Sequence, residues 1–210
     1  MAHNRHAFFD LVRTKLFKGR LVAAQVEGLT AILDAWRECD GQGEAQPLSY
    51  VLATAFHETA ATMQPVRETL AASDRSAIAR LDEAFAAGRL GSVKTPYWRP
   101  DADGKSWLGR GLVQLTHNRN YEAMSKVTGI DLVADPSRAM EQDVAATILI
   151  EGMRLGGFTG RRLDHYFSAE KAEWVGARRI INGNDRAELV AGYGRIFHAA
   201  LGALGKRAEI

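Results

Sequence analysis

Apolar residues return at three- and four-residue steps along most of this chain, the period of an amphipathic helix. The pattern predicts helices over 6–18 and 22–38. In the second, Val22, Val26, Leu29, Leu33 and Trp36 form one stripe before Gly41-Gln42-Gly43 breaks the period. Pro47 opens a third helix, with Leu48, Val51, Leu52, Ala55 and Thr59 on one face. A fourth is expected from an N-cap at Ser73 to a stop at Gly88, with Ile78, Leu81 and Phe85 inside. Further helices are expected over 118–128, 136–155 with breaks, 171–181 and 185–204. The last carries Leu189, Tyr193, Ile196, Phe197, Ala200 and Leu201 at helical spacing.

The period fails over 89–111, where Gly91, Pro96, Pro100, Gly104, Gly109 and Gly111 interrupt it and Tyr97, Trp98 and Trp107 stand among them. A loop of that length in a compact domain usually has a function. Beyond it, Val113 and Leu115 alternate with Gln114 and Thr116. Period two predicts a small strand pair near 105–116, with the apolar pair on one face and the polar pair on the other. The expectation is one mainly α domain over residues 1–210.

Composition changes this little. The chain has 210 residues, 46% hydrophobic and 25% charged, with a formal net charge of +2, too mild to argue for a nucleic-acid partner. Cys39 is the one cysteine, so no intrachain disulfide forms, which fits a reducing compartment. No apolar run approaches a membrane span, and the first residues lack the pattern of a secretory signal. Arg5, Arg13, Lys15, Lys18 and Arg20 stand against Asp10 alone in the first twenty residues, a solvated basic face or a contact to anionic polymer.

His57-Glu58 late in the third helix would suit a zinc site only with a histidine four residues on, and Ala61 stands there. Asp101-Ala102-Asp103-Gly104 resembles the start of a calcium loop, but Leu112 occupies its twelfth position, so it reads as a turn. No metal and no cofactor is expected. Glu58 and Glu68 are a candidate acid and base for cleaving a glycosidic bond, which takes one carboxylic acid and one carboxylate. In an unbroken helix ten residues would separate them by about 15 Å, too far. Pro65 disfavours helix at Gln64, so the chain is expected to turn between them. Spacing alone favours two solvated surface glutamates; other segments change the balance.

Three segments occur in the order seen in family 19 glycoside hydrolases, which include chitinases and phage endolysins. They are Ala55-Phe56-His57-Glu58-Thr59, the string from Gly109-Arg110-Gly111-Leu112-Val113-Gln114-Leu115-Thr116 to Asn120-Tyr121, and Ile180-Ile181-Asn182-Gly183. The opening Phe8-Phe9, Leu16-Phe17 and Gln25-Val26-Glu27-Gly28-Leu29, with Lys94-Thr95-Pro96-Tyr97-Trp98, resemble the small single-domain bacterial and phage members. The resemblance implies a lysozyme-like, two-lobed helical domain with a small β element beside the cleft. It implies an inverting, metal-free mechanism with Glu58 as general acid, Glu68 as general base and Thr116 holding the attacking water. Gln114, Asn120 and Asn182 match sugar-binding positions. His57, Tyr97, Trp98, Arg110 and Tyr121, which lie in the matching segments, join them as candidate substrate-binding residues.

The disulfides and chitin-binding module of plant chitinases are absent from this sequence, and the connection between the two glutamates is shorter. The expectation is therefore an endo-acting enzyme on bacterial peptidoglycan, endolysin-like, with chitin as the alternative substrate. Such an enzyme would be a monomer, cytoplasmic in its producing bacterium, and would reach the wall after release through a holin. A catalytically inactive polysaccharide-binding protein on the same fold is the rival from another class.

Overall fold

The computed structural model describes residues 5–39, 45–91 and 93–205. It is mainly α: α1 (Arg5–Lys15), α2 (Ala23–Glu38), α3 (Ala45–Glu58), α4 (Asp74–Ala86), α5 (Asn118–Thr128), α6 (Gln142–Leu155) and α7 (Ala187–Gly205). Two two-stranded antiparallel pairs accompany them, β1 (Val66–Arg67) with β2 (Arg110–Gly111) and β3 (Phe167–Ser168) with β4 (Lys171–Ala172). No helix among the described residues is long and apolar enough to cross a membrane. The Gly41–Gly43 break lies outside the described residues.

α3 is the centre of the molecule. Every residue from Pro47 to Phe56 is buried, so the single apolar face read from the sequence is too narrow an account. The reason is in its composition: from Leu48 to Phe56 it holds only apolar, small or hydroxyl residues, and a helix without a charged face is buried all round. Its broadest contact is with α7, which also packs on α1, while α2 and α5 pack on α6. The helix begins at Ala45, so Pro47 sits within the first turn rather than opening it. That turn tolerates proline because its N–H groups have no helical partner.

There are two hydrophobic cores. The large one joins α1, α2, α3, α5, α6 and α7. The small one gathers Ala71 from just before α4, Ala77 and Leu81 from α4, and Trp98 and Leu108 from the 89–108 segment. Ser73 caps α4 as expected, its Oγ accepting the Ser76 N–H at 3.2 Å.

Two expectations are corrected. Residues 171–181 are not a helix: β4 occupies Lys171–Ala172, and Gly176–Ile180 forms a short 3-10 turn. The turn between them lays Trp174 on α7, where a Cβ at Gly194 would come within 2.8 Å of the indole. That burial overrides the helical propensity of Lys171-Ala172-Glu173. The strand pair is not contained within 105–116 either. β2 pairs with β1 in the register Val66↔Gly111 and Arg67↔Arg110, and only an isolated bridge joins Arg110 to Leu115.

Candidate active site

α3 ends at Glu58 and gives way to a compact turn. The Thr59 hydroxyl donates to the Ala55 carbonyl at 2.7 Å and accepts the Met63 N–H at 3.0 Å, closing the helix and fixing the turn together. Ala60, Ala61 and Met63 adopt φ of +50°, +66° and +56°. Left-handed backbone at non-glycine residues costs energy and persists only where the surroundings hold it. α2 does the holding. The Gln25 side chain donates to the Ala61 carbonyl at 3.0 Å, and Gln64 donates to the Ala24 carbonyl at 2.6 Å. Gly28 lets the turn lie directly on the helix, since a Cβ there would stand 1.7 Å from the Met63 carbonyl oxygen. The chain therefore reverses between the two glutamates, as Pro65 implied, and delivers Glu68 directly after β1.

At the Glu58 end of the site, Arg178 reaches Glu58 Oε1 at 2.6 Å. Arg178 is only 2% exposed, and its Nε donates to the Asp185 carbonyl at 2.8 Å. The guanidinium thus joins the last residue of α3 to the segment that leads into α7. Burial holds His57 below its ordinary pKa, with the Arg178 and Arg186 charges adding and the Glu58 and Asp185 charges opposing, so its imidazole stays neutral at pH 7. Asn182 lies in the same segment. It is exposed and makes no side-chain hydrogen bond among the described residues, and the left-handed Gly183 follows it.

At the Glu68 end, the Glu68 N–H donates to the Gly109 carbonyl at 2.7 Å, and the Gly109 N–H donates back to Glu68 Oε2 at 2.8 Å. Tyr97 donates its hydroxyl to Glu68 Oε1 at 2.7 Å. Gln114, at φ +54°, turns its amide back to the Val66 carbonyl at 3.0 Å. A Cβ placed on Gly109 would meet Gln114 Oε1 at 2.7 Å, Glu68 Oε2 at 3.2 Å and Thr116 Cγ2 at 3.2 Å. Three of the residues singled out from the sequence therefore converge over one bare backbone position. The facing read from the alternation also holds, with Val113 and Leu115 buried and Gln114 and Thr116 half-buried, although this is a turn and a bridge rather than a strand. Asn120 is half-buried one turn into the next helix.

Three candidates do not reach a substrate. Trp98 is fully enclosed in the small core, its Nε1 donating to Asp82 at 2.9 Å, and an indole with no exposed face cannot stack on a sugar. Arg110 is 2% exposed; it pairs with Asp74 Oδ2 and donates to the Ser106 carbonyl and the Tyr121 hydroxyl. Tyr121 is fully buried and passes its own proton to the Leu108 carbonyl at 2.8 Å. These residues support the site from below. Asp74, unmarked in the sequence, completes them: its carboxylate bridges Arg67 Nε at 2.6 Å and Arg110, which face each other across the β1–β2 pair. Like charges directly opposite repel, and the shared carboxylate offsets this. Burial resists its ionisation, but the hydrogen bonds from Arg110 and Arg67 outweigh that and hold its pKa below the ordinary value.

Sequence comparison supplies the class. The family model for class I chitinases matches residues 44–150, half of the chain and both glutamates. Two Arabidopsis thaliana proteins, the endochitinases At2g43610 and At2g43620, are 39% and 43% identical over 64 and 54 residues, covering 30% and 26% of this chain. Those matches span 22% and 18% of the two relatives, about a fifth of their length. A bacterial family 19 chitinase of known structure aligns over 99% of this chain and 97% of its own, with 19% identity and a TM-score of 0.46. This chain belongs to the chitinase class I family, family 19 of the glycoside hydrolases.

Proposed function

We propose that this chain hydrolyses β-1,4 bonds in amino-sugar polymers by single displacement, with Glu58 as acid and Glu68 as base. The observation that supports this best is the convergence of Glu68, Gln114 and Thr116 over Gly109. Glu58 gives its proton to the leaving glycosidic oxygen as that bond breaks. A water attacks the anomeric carbon from the other face and gives its proton to Glu68, so the configuration inverts. The Thr116 hydroxyl, which has no protein partner among the described residues, orients that water. Arg178 supplies a counter-charge for the carboxylate left on Glu58, and being fixed beforehand it needs no reorganisation during the reaction. Gln114, Asn120 and Asn182 bind the sugars.

The substrate proposed is bacterial peptidoglycan. Exposed cations support this reading. Arg119 and Arg186 act on the imidazoles of His117 and His57, and neither side chain has a hydrogen bond or ion pair among the described residues. Of the basic residues of the first segment, Arg5 pairs with Asp34 and Arg13 with Asp10, which leaves Lys15, Lys18 and Arg20 facing solvent. Carboxylates of muramic acid and its peptide stem complement such charges. Chitin is the second reading, because both plant relatives are endochitinases. The deciding experiment compares purified peptidoglycan with soluble chitin oligomers at several salt concentrations. Faster release from peptidoglycan, weakened by salt and giving α reducing ends by NMR before mutarotation, is expected. Rapid chitin cleavage with peptidoglycan untouched would replace the substrate and keep the mechanism. β products would overturn the mechanism.

A further inference from the structure

The carboxylate of Glu68 is held at both oxygens. Oε2 accepts the Gly109 N–H at 2.8 Å and Oε1 accepts the Tyr97 hydroxyl at 2.7 Å. The two donors differ in kind. Gly109 is backbone, fixed by its place before β2 and by its own carbonyl, which accepts the Glu68 N–H at 2.7 Å. Tyr97 comes from the long loop, 29 residues along the chain, and its ring carries nothing else into the site. That ring is itself immobilised: it lies 4.1 Å centroid to centroid from His117, and 5.1 Å from Trp98, edge to face. Trp98 is in turn anchored in the small core through Asp82.

We infer that Tyr97 is a positioning residue for the base: its hydroxyl fixes the rotation of the Glu68 carboxylate so that Oε2 stays on the Gly109–Thr116 side, and it does not serve as a platform for a sugar. The need is physical. The terminal torsion of a glutamate is an sp3–sp2 bond with broad, shallow preferences, so one hydrogen bond leaves the carboxylate free to rock. A base must be held to within about 0.5 Å and 10–20° of its working geometry. Two donors on opposite oxygens achieve that. Oε2 and the Thr116 methyl both lie 3.2 Å from the place a Cβ on Gly109 would take, so the held oxygen and the hydroxyl residue share one small space. With one lone pair of Oε2 used by Gly109, another is left for a water. Burial, and then the Glu68 carboxylate it touches, push the Tyr97 phenol well above its ordinary pKa, so it remains a donor across the working range.

This inference rests on the reading of Glu68 as base, and the test separates the two. Tyr97→Phe keeps the ring and removes the hydroxyl; Tyr97→Leu removes both. Positioning predicts that Tyr97→Phe lowers kcat roughly 10- to 100-fold, the size of a lost hydrogen bond to a charged group, with KM unchanged and the melting temperature nearly so. Stacking on sugar predicts the opposite, with Tyr97→Phe silent and Tyr97→Leu raising KM, and that result overturns the inference. The second arm uses Glu68→Ala with sodium azide, a nucleophile that attacks without a base. There Tyr97→Phe should change the azide-dependent rate less than two-fold, because the group it positions is gone. An undiminished loss in that background means that Tyr97 acts elsewhere and also overturns the inference. Near-normal hydrolysis by Glu68→Ala without azide would instead remove Glu68 as base, whatever Tyr97 does.

Discussion

At the scale of single residues, the two glutamates sit in unlike settings. Glu58 faces a buried cation; Glu68 is held by a backbone N–H and a phenol. Glu58→Gln retains an oxygen that Arg178 can still reach but has no proton to give. It should lower kcat by roughly 10²–10⁴ and leave the fold intact. Glu58→Ala should be equally slow but clearly less stable in urea, because it also takes away the oxygen that the buried Arg178 guanidinium donates to. Equal stability of the two variants would mean that the hydrogen bond from Arg178 to the residue at position 58 contributes nothing. In the proposed mechanism Glu68 and Thr116 serve one water, so the effects of Glu68→Gln and Thr116→Ala on kcat should be less than additive when combined. Full additivity in that cycle would separate their roles. Glu58 and Thr116 stood out in the sequence because each lies in a short string with a distinctive order, whereas Glu68 was singled out only by its place after Glu58. Arg178 was not: its partner is 120 residues away, and nothing in the local pattern tells a buried arginine from a solvated one.

At the scale of elements, the support of the site lies in one close approach and one polar cluster. α2 touches the 59–63 turn at Gly28 without any gap. Gly28→Ala must push the turn away or bend the helix, at a cost of about 1–3 kcal/mol for overpacking. Because that turn carries Glu68 to its place, kcat should fall along with stability, and a variant unaltered in both would show that the turn can shift freely. Tyr121→Phe removes the hydroxyl that Arg110 and the Leu108 carbonyl share. Loss of about 1–3 kcal/mol in urea unfolding with KM unchanged is expected. A raised KM with normal stability would return Tyr121 to the sugar-binding set. The helices were mostly legible because their periods are long and regular. The error at 171–181 arose where a tryptophan found a glycine on α7, a long-range fit that no local propensity encodes. The polar facing of Gln114 and Thr116 was legible, but their convergence was not. It depends on β1 arriving beside β2, which brings Val66 to Gln114 across 48 residues of chain.

At the scale of the whole molecule, pH reports on the two half-buried histidines of the site. Burial depresses both His57 and His117 below 6.5, helped at His117 by the Arg119 charge and opposed there by the Glu68 charge. Between those folded values and 6.5 the unfolded chain binds more protons than the folded one, so stability rises with pH across that window. The urea midpoint should therefore decline as pH falls below about 6.5. A double His57→Gln, His117→Gln variant should show a flatter profile there, and a midpoint that rises on acidification would contradict both shifts. Asp74 adds a second loss lower down, as pH falls through its depressed pKa and the link between Arg67 and Arg110 is neutralised.

The buried pairing of Arg178 with Glu58 also constrains how this scaffold can change over generations. A copy that drifts to alanine at position 58 loses catalysis and is left with a stranded charge in its interior, so the first step toward a purely carbohydrate-binding descendant is penalised twice. Drift through glutamine softens the second penalty, because its amide oxygen still accepts from Arg178, and replacing Arg178 first would remove the counter-charge while activity is still under selection. Retired members of such a lineage should therefore carry glutamine at position 58, or changes at 58 and 178 together, far more often than a lone small residue at 58.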